Sequence, residues 1–225
     1  DSCDAAKGYS GPDIATTALA GICRDKAGNS SSASYAIKYD ATAPQATPAP
    51  SRQPNASGWY TAPLTVGFSA SDATSTVDSC DAAKSYSGPD IGSTTVAGAC
   101  RDKAGNSAAA GFALKYDASA PVASATPSRQ PNAVGWYRAP LTVSFAATDA
   151  TSGLASCPAP KDYAGPDNAT ASVGGTCLDV AGNAATPSLL LKYDATAPQA
   201  SATASRPADF GGWFNHALTV NFAAT

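Results

Sequence analysis

At 225 residues, 44% hydrophobic and only 14% charged, the chain is too apolar to stay disordered, and its 19 Gly and 17 Pro make it too turn-rich for a helical bundle. A net charge of −3 offers no basic footprint for nucleic acid or an anionic membrane surface, and no apolar run reaches the roughly 18 residues of a membrane span. Every acidic residue is Asp, Met is absent, and no signal peptide opens the chain, which reads as a mature or excised segment.

One stretch recurs at a fixed displacement of 77 residues. Cys23-Arg-Asp-Lys-Ala-Gly-Asn29 runs through an apolar strand into Lys38-Tyr-Asp-Ala-Thr-Ala-Pro44. Cys100 to Asn106 leads likewise to Lys115 to Pro121, and Cys177 to Asn183 leads to Lys192 to Pro198. A constant period implies a repeat protein. The first residue matches Asp78 and the last matches Ser71, so the expected domains are two whole repeats, 45–121 and 122–198, flanked by complementary halves, 1–44 and 199–225.

In chain order, residues 1–44 hold the back half of a repeat, and the elements of a whole one are clearest in the second copy. Gln53-Pro-Asn-Ala-Ser-Gly58 is turn chemistry, followed by Trp59 and Tyr60. Leu64, Val66, Phe68 and Ala70 alternate with Thr65, Gly67 and Ser69, which predicts a half-buried strand. A Ser/Asp/Thr loop and a short strand into Cys80 come next, then the turn Tyr86-Ser-Gly-Pro-Asp90. Val96, Gly98 and Cys100 share one face of the following strand. Lys103-Ala-Gly-Asn106 turns the chain, and Phe112, Leu114 and Tyr116 share a face of the last strand. Pro121 to Pro131, with three prolines, is expected to be a semi-rigid connector between repeats. Short strands at turn-punctuated spacing with no helical period predict an all-β protein of tandem immunoglobulin-like sandwiches. Trp59, Trp136 and Trp213, with Tyr39, Tyr116 and Tyr193, are the expected core anchors.

The cysteines fall 20 apart in each repeat, as Cys3/Cys23, Cys80/Cys100 and Cys157/Cys177. A structural zinc needs about four clustered Cys or His ligands, and each repeat offers two cysteines without a recurring histidine. Three within-repeat disulfides are the expectation, and with them an oxidising, extracellular or cell-surface setting.

Trp59-Tyr-Thr-Ala-Pro-Leu-Thr-Val-Gly-Phe68 and its copy at 136–145, Asp149-Ala-Thr-Ser-Gly153, the Tyr-Ser/Ala-Gly-Pro-Asp turn, Asp-x-Ala-Gly-Asn and Tyr-Asp-Ala-Thr-Ala-Pro together resemble the tandem Ig-like repeats of large secreted bacterial surface proteins. They are more distantly similar to hyalin-type repeats. The resemblance implies a spacer, stalk or adhesive array outside the cell and transfers no catalytic residues. Val180 departs from it by replacing the Lys of the turn, and Pro158 and Pro160 crowd Cys157.

No Ser/His/Asp set recurs and no Gly-x-Ser-x-Gly elbow is present, so a non-enzymatic role is expected. His216, the only histidine, reads as a surface residue. No cofactor is called for, although Asp25, Asp40, Asp102, Asp117, Asp179 and Asp194 leave calcium open beside their ordinary role as turn formers. Lys38, Lys115 and Lys192 alternate with inward-facing Leu and Tyr and are expected to face solvent, which argues against an isopeptide crosslink. The sequons at Asn29, Asn55 and Asn168 do not share a repeat position. The functional expectation is an extracellular filament or stalk whose half repeats are completed head-to-tail by neighbouring chains or by continuation of a longer one. The alternative is an adhesin module that binds a glycan or host protein.

Overall fold

The computed structural model describes residues 1–225 and contains strands, turns and no helix. The strands are β1 (Ser2–Cys3), β2 (Ile14–Arg24), β3 (Ser30–Tyr39), β4 (Gln45–Pro50), β5 (Trp59–Tyr60), β6 (Leu64–Ser71), β7 (Val77–Cys80), β8 (Lys84–Tyr86), β9 (Ile91–Asp102) and β10 (Ser107–Tyr116). They continue as β11 (Val122–Pro127), β12 (Trp136–Tyr137), β13 (Leu141–Thr148), β14 (Leu154–Ser156), β15 (Lys161–Tyr163), β16 (Asn168–Gly174), β17 (Cys177–Asp179), β18 (Ala184–Ala185), β19 (Ser188–Tyr193), β20 (Ala200–Ala204) and β21 (Val220–Ala224). Two compact units form. Unit 1 comprises Asp1–Pro121 with Asp149–Ala155 and Leu178–Ala184, and unit 2 the remainder.

In unit 1, two sheets of order β4-β6-β8 and β5-β10-β9-β7 close a β-sandwich over one core. Leu64 and Val66 of β6, Tyr60 of β5, Val96 of β9 and Leu114 and Tyr116 of β10 are buried together, with Phe68, Tyr86 and Phe112 packed at the margin. The alternation on β6 produces this result, because successive side chains point to opposite faces. Gly98 is a packing device here. A Cβ at that position would stand 2.7 Å from the Phe68 ring, so only glycine lets the ring enter. The third sheet of unit 1, β1-β2-β3, has one face without a partner sheet.

Unit 2 pairs the sheets β11-β13-β15 and β12-β19-β16 around Tyr137, Leu141, Val143, Ala171, Val173, Leu191 and Tyr193. A separate two-stranded ladder, β20-β21, leaves Phe222 82% exposed.

Two expectations need correction. Pro121 to Pro131 is not a semi-rigid connector between repeats, because Val122–Pro127 is strand β11 in register with β13 from Val122↔Thr148 to Pro127↔Val143. Gln45–Pro50 pairs with β6 in the same way. Both are edge strands, where a proline lacking N–H is tolerated. The tryptophans, moreover, do not anchor the cores. Trp59 is buried but outside the core cluster, beneath Lys115 with Nζ 5.7 Å from its ring centroid, and Trp136 lies under Lys192 at 6.0 Å. Trp213 is 79% exposed. The residue after each Trp, Tyr60 or Tyr137, enters the core instead, since alternation sends neighbours to opposite faces. Tyr116 and Tyr193 are core residues, whereas Tyr39 is only half-buried because the face it lies on is open.

Disulfides join Cys3–Cys23, Cys80–Cys100 and Cys157–Cys177, each across 20 residues of sequence. Cys80 and Cys100 are directly opposed in the β7–β9 ladder, with Cα atoms 4.0 Å apart. Reduction of Cys80–Cys100 is expected to lower the stability of unit 1 by about 3 kcal/mol, the chain-entropy value for a loop of this size. Thermal melting with and without reductant checks this, and superimposable curves would refute it.

Candidate metal centres

Three copies of one turn place an aspartate carboxylate against its own backbone. In Asp102-Lys-Ala-Gly-Asn106, Asp102 Oδ1 accepts the Asn106 N–H at 2.8 Å and Oδ2 accepts the Asn106 side-chain amide at 2.9 Å. Gly105 supplies the left-handed residue, φ +98°, that lets the chain reverse this tightly. Asp179 with Asn183 repeats the arrangement at 2.8 and 2.9 Å, and Asp25 with Asn29 at 2.8 and 2.8 Å.

A second loop presents another carboxylate. Asp149 Oδ1 accepts N–H groups of Thr151, Ser152 and Gly153 at 3.1, 2.9 and 2.9 Å. Asp72 does the same with Thr74, Ser75 and Thr76 at 3.1, 2.9 and 2.9 Å. In both loops one oxygen carries the donors, while Oδ2 takes none of these bonds.

The third carboxylate comes from the end of the preceding repeat. Asp117, just past β10, accepts Ser119 N–H on Oδ1 and Ser152 N–H on Oδ2, at 3.2 and 3.1 Å. Asp40, just past β3, accepts Thr42 N–H and Ser75 N–H, both at 3.1 Å. The asparagine amides reinforce these joints. Asn183 donates to the Asp117 carbonyl at 3.1 Å, and Asn106 donates to the carbonyls of Asp40 and Thr42 at 3.2 and 3.1 Å. Asn55 of the second repeat also donates to the Ala181 carbonyl at 2.6 Å.

Two triads result, Asp40/Asp72/Asp102 and Asp117/Asp149/Asp179, both within unit 1. In each, one oxygen from every carboxylate lies within 4.8 Å of the others. Asp117 is 0%, Asp102 1% and Asp179 2% exposed. None of the six takes part in a salt bridge. Burial pushes the Asp102 carboxyl up, but the hydrogen bonds from Asn106, Gly105 and Ala104 together outweigh it and hold the group below the usual carboxylate range. For Asp149 burial likewise opposes, and the N–H groups of Gly153, Thr151 and Ser152 win. Buried charges without a cationic partner are costly. An all-oxygen set of this kind suits a hard divalent cation, calcium before zinc.

Of the six aspartates singled out in the sequence, four fall in the triads. Asp25 keeps only its own turn, and Asp194 is exposed and accepts Thr196 N–H at 3.0 Å. Asp72 and Asp149 were not singled out, although they recur at the same 77-residue displacement as their partners. That recurrence was the available signal, obscured by a Ser/Thr-rich loop in which Asp reads as a turn former. His216 is exposed, with Nδ1 3.8 Å from the Asp209 carboxylate.

No protein-family profile matches the sequence, and no curated protein matches it either. Among solved structures, the chain is similar to a 1.5-MDa bacterial ice-binding adhesin studied for host cell surface retention, at 15% identity and TM-score 0.35, over 82% of this chain and 76% of that one. It is similar to a Ca²⁺-stabilized adhesin with which an Antarctic bacterium reaches out and binds ice, at 17% identity and TM-score 0.36, over 83% and 60% of the two chains. A tetra-tandem repeat from the extending region of a large adhesion protein matches at 17% identity and TM-score 0.26, over 94% and 70%. Likeness at this level assigns no family or activity, and the functional reading rests on the geometry.

Proposed function

We propose that the chain is a segment of a non-enzymatic extracellular array of immunoglobulin-like sandwiches with a 77-residue period, serving as a stalk or filament. Its joints are closed by calcium held in the two aspartate triads. The observation that carries this reading is the composition of each triad. One carboxylate, Asp40 or Asp117, ends a repeat, and the other two come from loops of the next, so a bound cation would draw its ligands from two consecutive repeats. Asp40, Asp72 and Asp102 hold one ion, and Asp117, Asp149 and Asp179 the other. The disulfides fit the same extracellular setting, where thiols oxidise and calcium is abundant.

Small-angle X-ray scattering of dilute chain tests the reading. Each repeat contributes roughly 35–40 Å if its strands run near the long axis. In calcium the radius of gyration is expected well above the about 17 Å of a compact globule of this length. Chelation should leave a broader distribution of dimensions. A compact particle in either condition overturns the array, and identical profiles in both overturn the calcium joints.

A further inference from the structure

Two ligands of the first triad hang on strands that a single disulfide ties together. Asp72 opens the loop that runs into β7, eight residues before Cys80, and Asp102 is the last residue of β9, two residues after Cys100. All of these residues belong to the complete repeat in unit 1. Strand β7 is a weak anchor without its cysteine. It is four residues long and sits at the edge of its sheet. On the triad side of the disulfide its pairing with β9 is only Val77↔Asp102 and Ser79↔Arg101, with a register shift between them.

The Asp72 loop resists the shape that the triad needs. Thr76 takes φ +68°, a left-handed conformation costly for a β-branched residue, whereas the equivalent position in the next repeat is Gly153 at φ +82°. Such a conformation persists only where the surroundings impose it. Here Asp72 Oδ1 accepts the Thr76 N–H at 2.9 Å, and the Thr76 carbonyl accepts Lys103 N–H, just past β9, at 3.0 Å. The same loop sends Ser75 N–H to Asp40 Oδ2 at 3.1 Å, so its position also sets where the third carboxylate lies. Holding β7 on β9 therefore holds all three ligands.

Resting on the calcium reading of this site, we infer that the Cys80–Cys100 disulfide is a redox gate on the Asp40/Asp72/Asp102 triad. The oxidised pair keeps the ligands in binding geometry, and the reduced pair lets β7 and the Asp72 loop move off β9. The reductant is an external dithiol. Its thiolate attacks one sulfur of the pair and its second thiol resolves the mixed disulfide. Two electrons and two protons end on Cys80 and Cys100 as free thiols, while the dithiol leaves as a cyclic disulfide. Access exists, because a cavity of about 210 Å³ lined by Ser79, Arg101 and Ser107 opens onto both cysteines. Coupling between two sites is reciprocal, so calcium opposes reduction by the same factor by which reduction weakens calcium.

Equilibrium dialysis with calcium tests the gate on the full chain. Asp149→Asn removes the other triad, and the oxidised chain in that background is compared with one that also carries Cys80→Ser and Cys100→Ser. Loss of the disulfide is expected to raise the calcium Kd by at least about tenfold, within the usual range of coupling between sites. Where the serine variant fails to fold, the unmodified chain answers the same question through the reciprocal effect. Dithiol titration, alkylation and peptide mass mapping read the reduced fraction of each pair. Cys80–Cys100 should need roughly tenfold more dithiol in calcium than in chelator. Cys3–Cys23, whose strands β1 and β2 carry no triad ligand, should need the same amount in both. Equal calcium affinity in a folded serine variant, or reduction of Cys80–Cys100 that ignores calcium, overturns the gate and leaves the calcium site standing. An oxidised chain that retains no calcium overturns the calcium reading itself, and the gate with it.

Discussion

Millimolar calcium is expected to raise the melting temperature of unit 1 by roughly 10–20 °C. Both triads belong to unit 1. A ligand present at about 100 times its Kd stabilises the folded state by ~2.7 kcal/mol per site, or roughly 5 kcal/mol for two, and each kcal/mol shifts a domain of this size by several degrees. The paired variant Asp72→Asn, Asp149→Asn separates the cation effect from turn stability, because asparagine keeps a side-chain oxygen for the loop N–H groups and removes one charge from each triad. It should retain the calcium-free melting temperature within a few degrees and lose most of the calcium response. The response also fades in acid. Asp102 and Asp149 have carboxyls held below the unfolded range, so their contribution is complete above about pH 4 and is lost as pH falls through that range toward the folded values. Calorimetric scans in calcium and in chelator that coincide would eliminate both sites.

The sequence displayed the sandwich more fully than it displayed the sites. Strand β6 was legible because Leu64, Val66 and Phe68 alternate with small polar residues, a pattern that determines which face is buried. The β9–β10 reversal was legible from Ala104-Gly105-Asn106, where the glycine takes φ +98°. Strand β11 was not, since Pro121, Pro127 and Pro131 suggest a linker until neighbouring β13 shows that this segment occupies a sheet edge. The triads illustrate a different limit. Asp117 and Asp149 are 32 residues apart in sequence, and Asp179 a further 30, so nothing local distinguishes them from the other turn-forming aspartates. Their convergence depends on tertiary contacts, such as Ser152 N–H bonding to Asp117, that no periodicity encodes. Tryptophan was misread for a related reason. Its size favours burial in general, but the alternation that puts Tyr60 in the core leaves Trp59 to be covered by the Lys115 stem.

Tyr116→Ala is expected to destabilise unit 1 by about 3–5 kcal/mol, the range for removing a large aromatic from a packed core. Tyr116 is buried, meets Tyr86 edge-to-face at 5.3 Å, and touches a core built from both sheets. Tyr39→Ala offers the sharpest comparison. Tyr39 has the same sequence context and an equivalent contact with Tyr9 at 5.4 Å, but only one sheet supports it. In dilute, monomeric chain that substitution should cost about 1 kcal/mol, the scale of the aromatic pair with little further burial. The gap between the two costs measures what a second sheet adds to one tyrosine. Urea unfolding of both variants measures the two costs. Equal costs at the two positions in the monomer would mean that the β1-β2-β3 face is already covered within one chain.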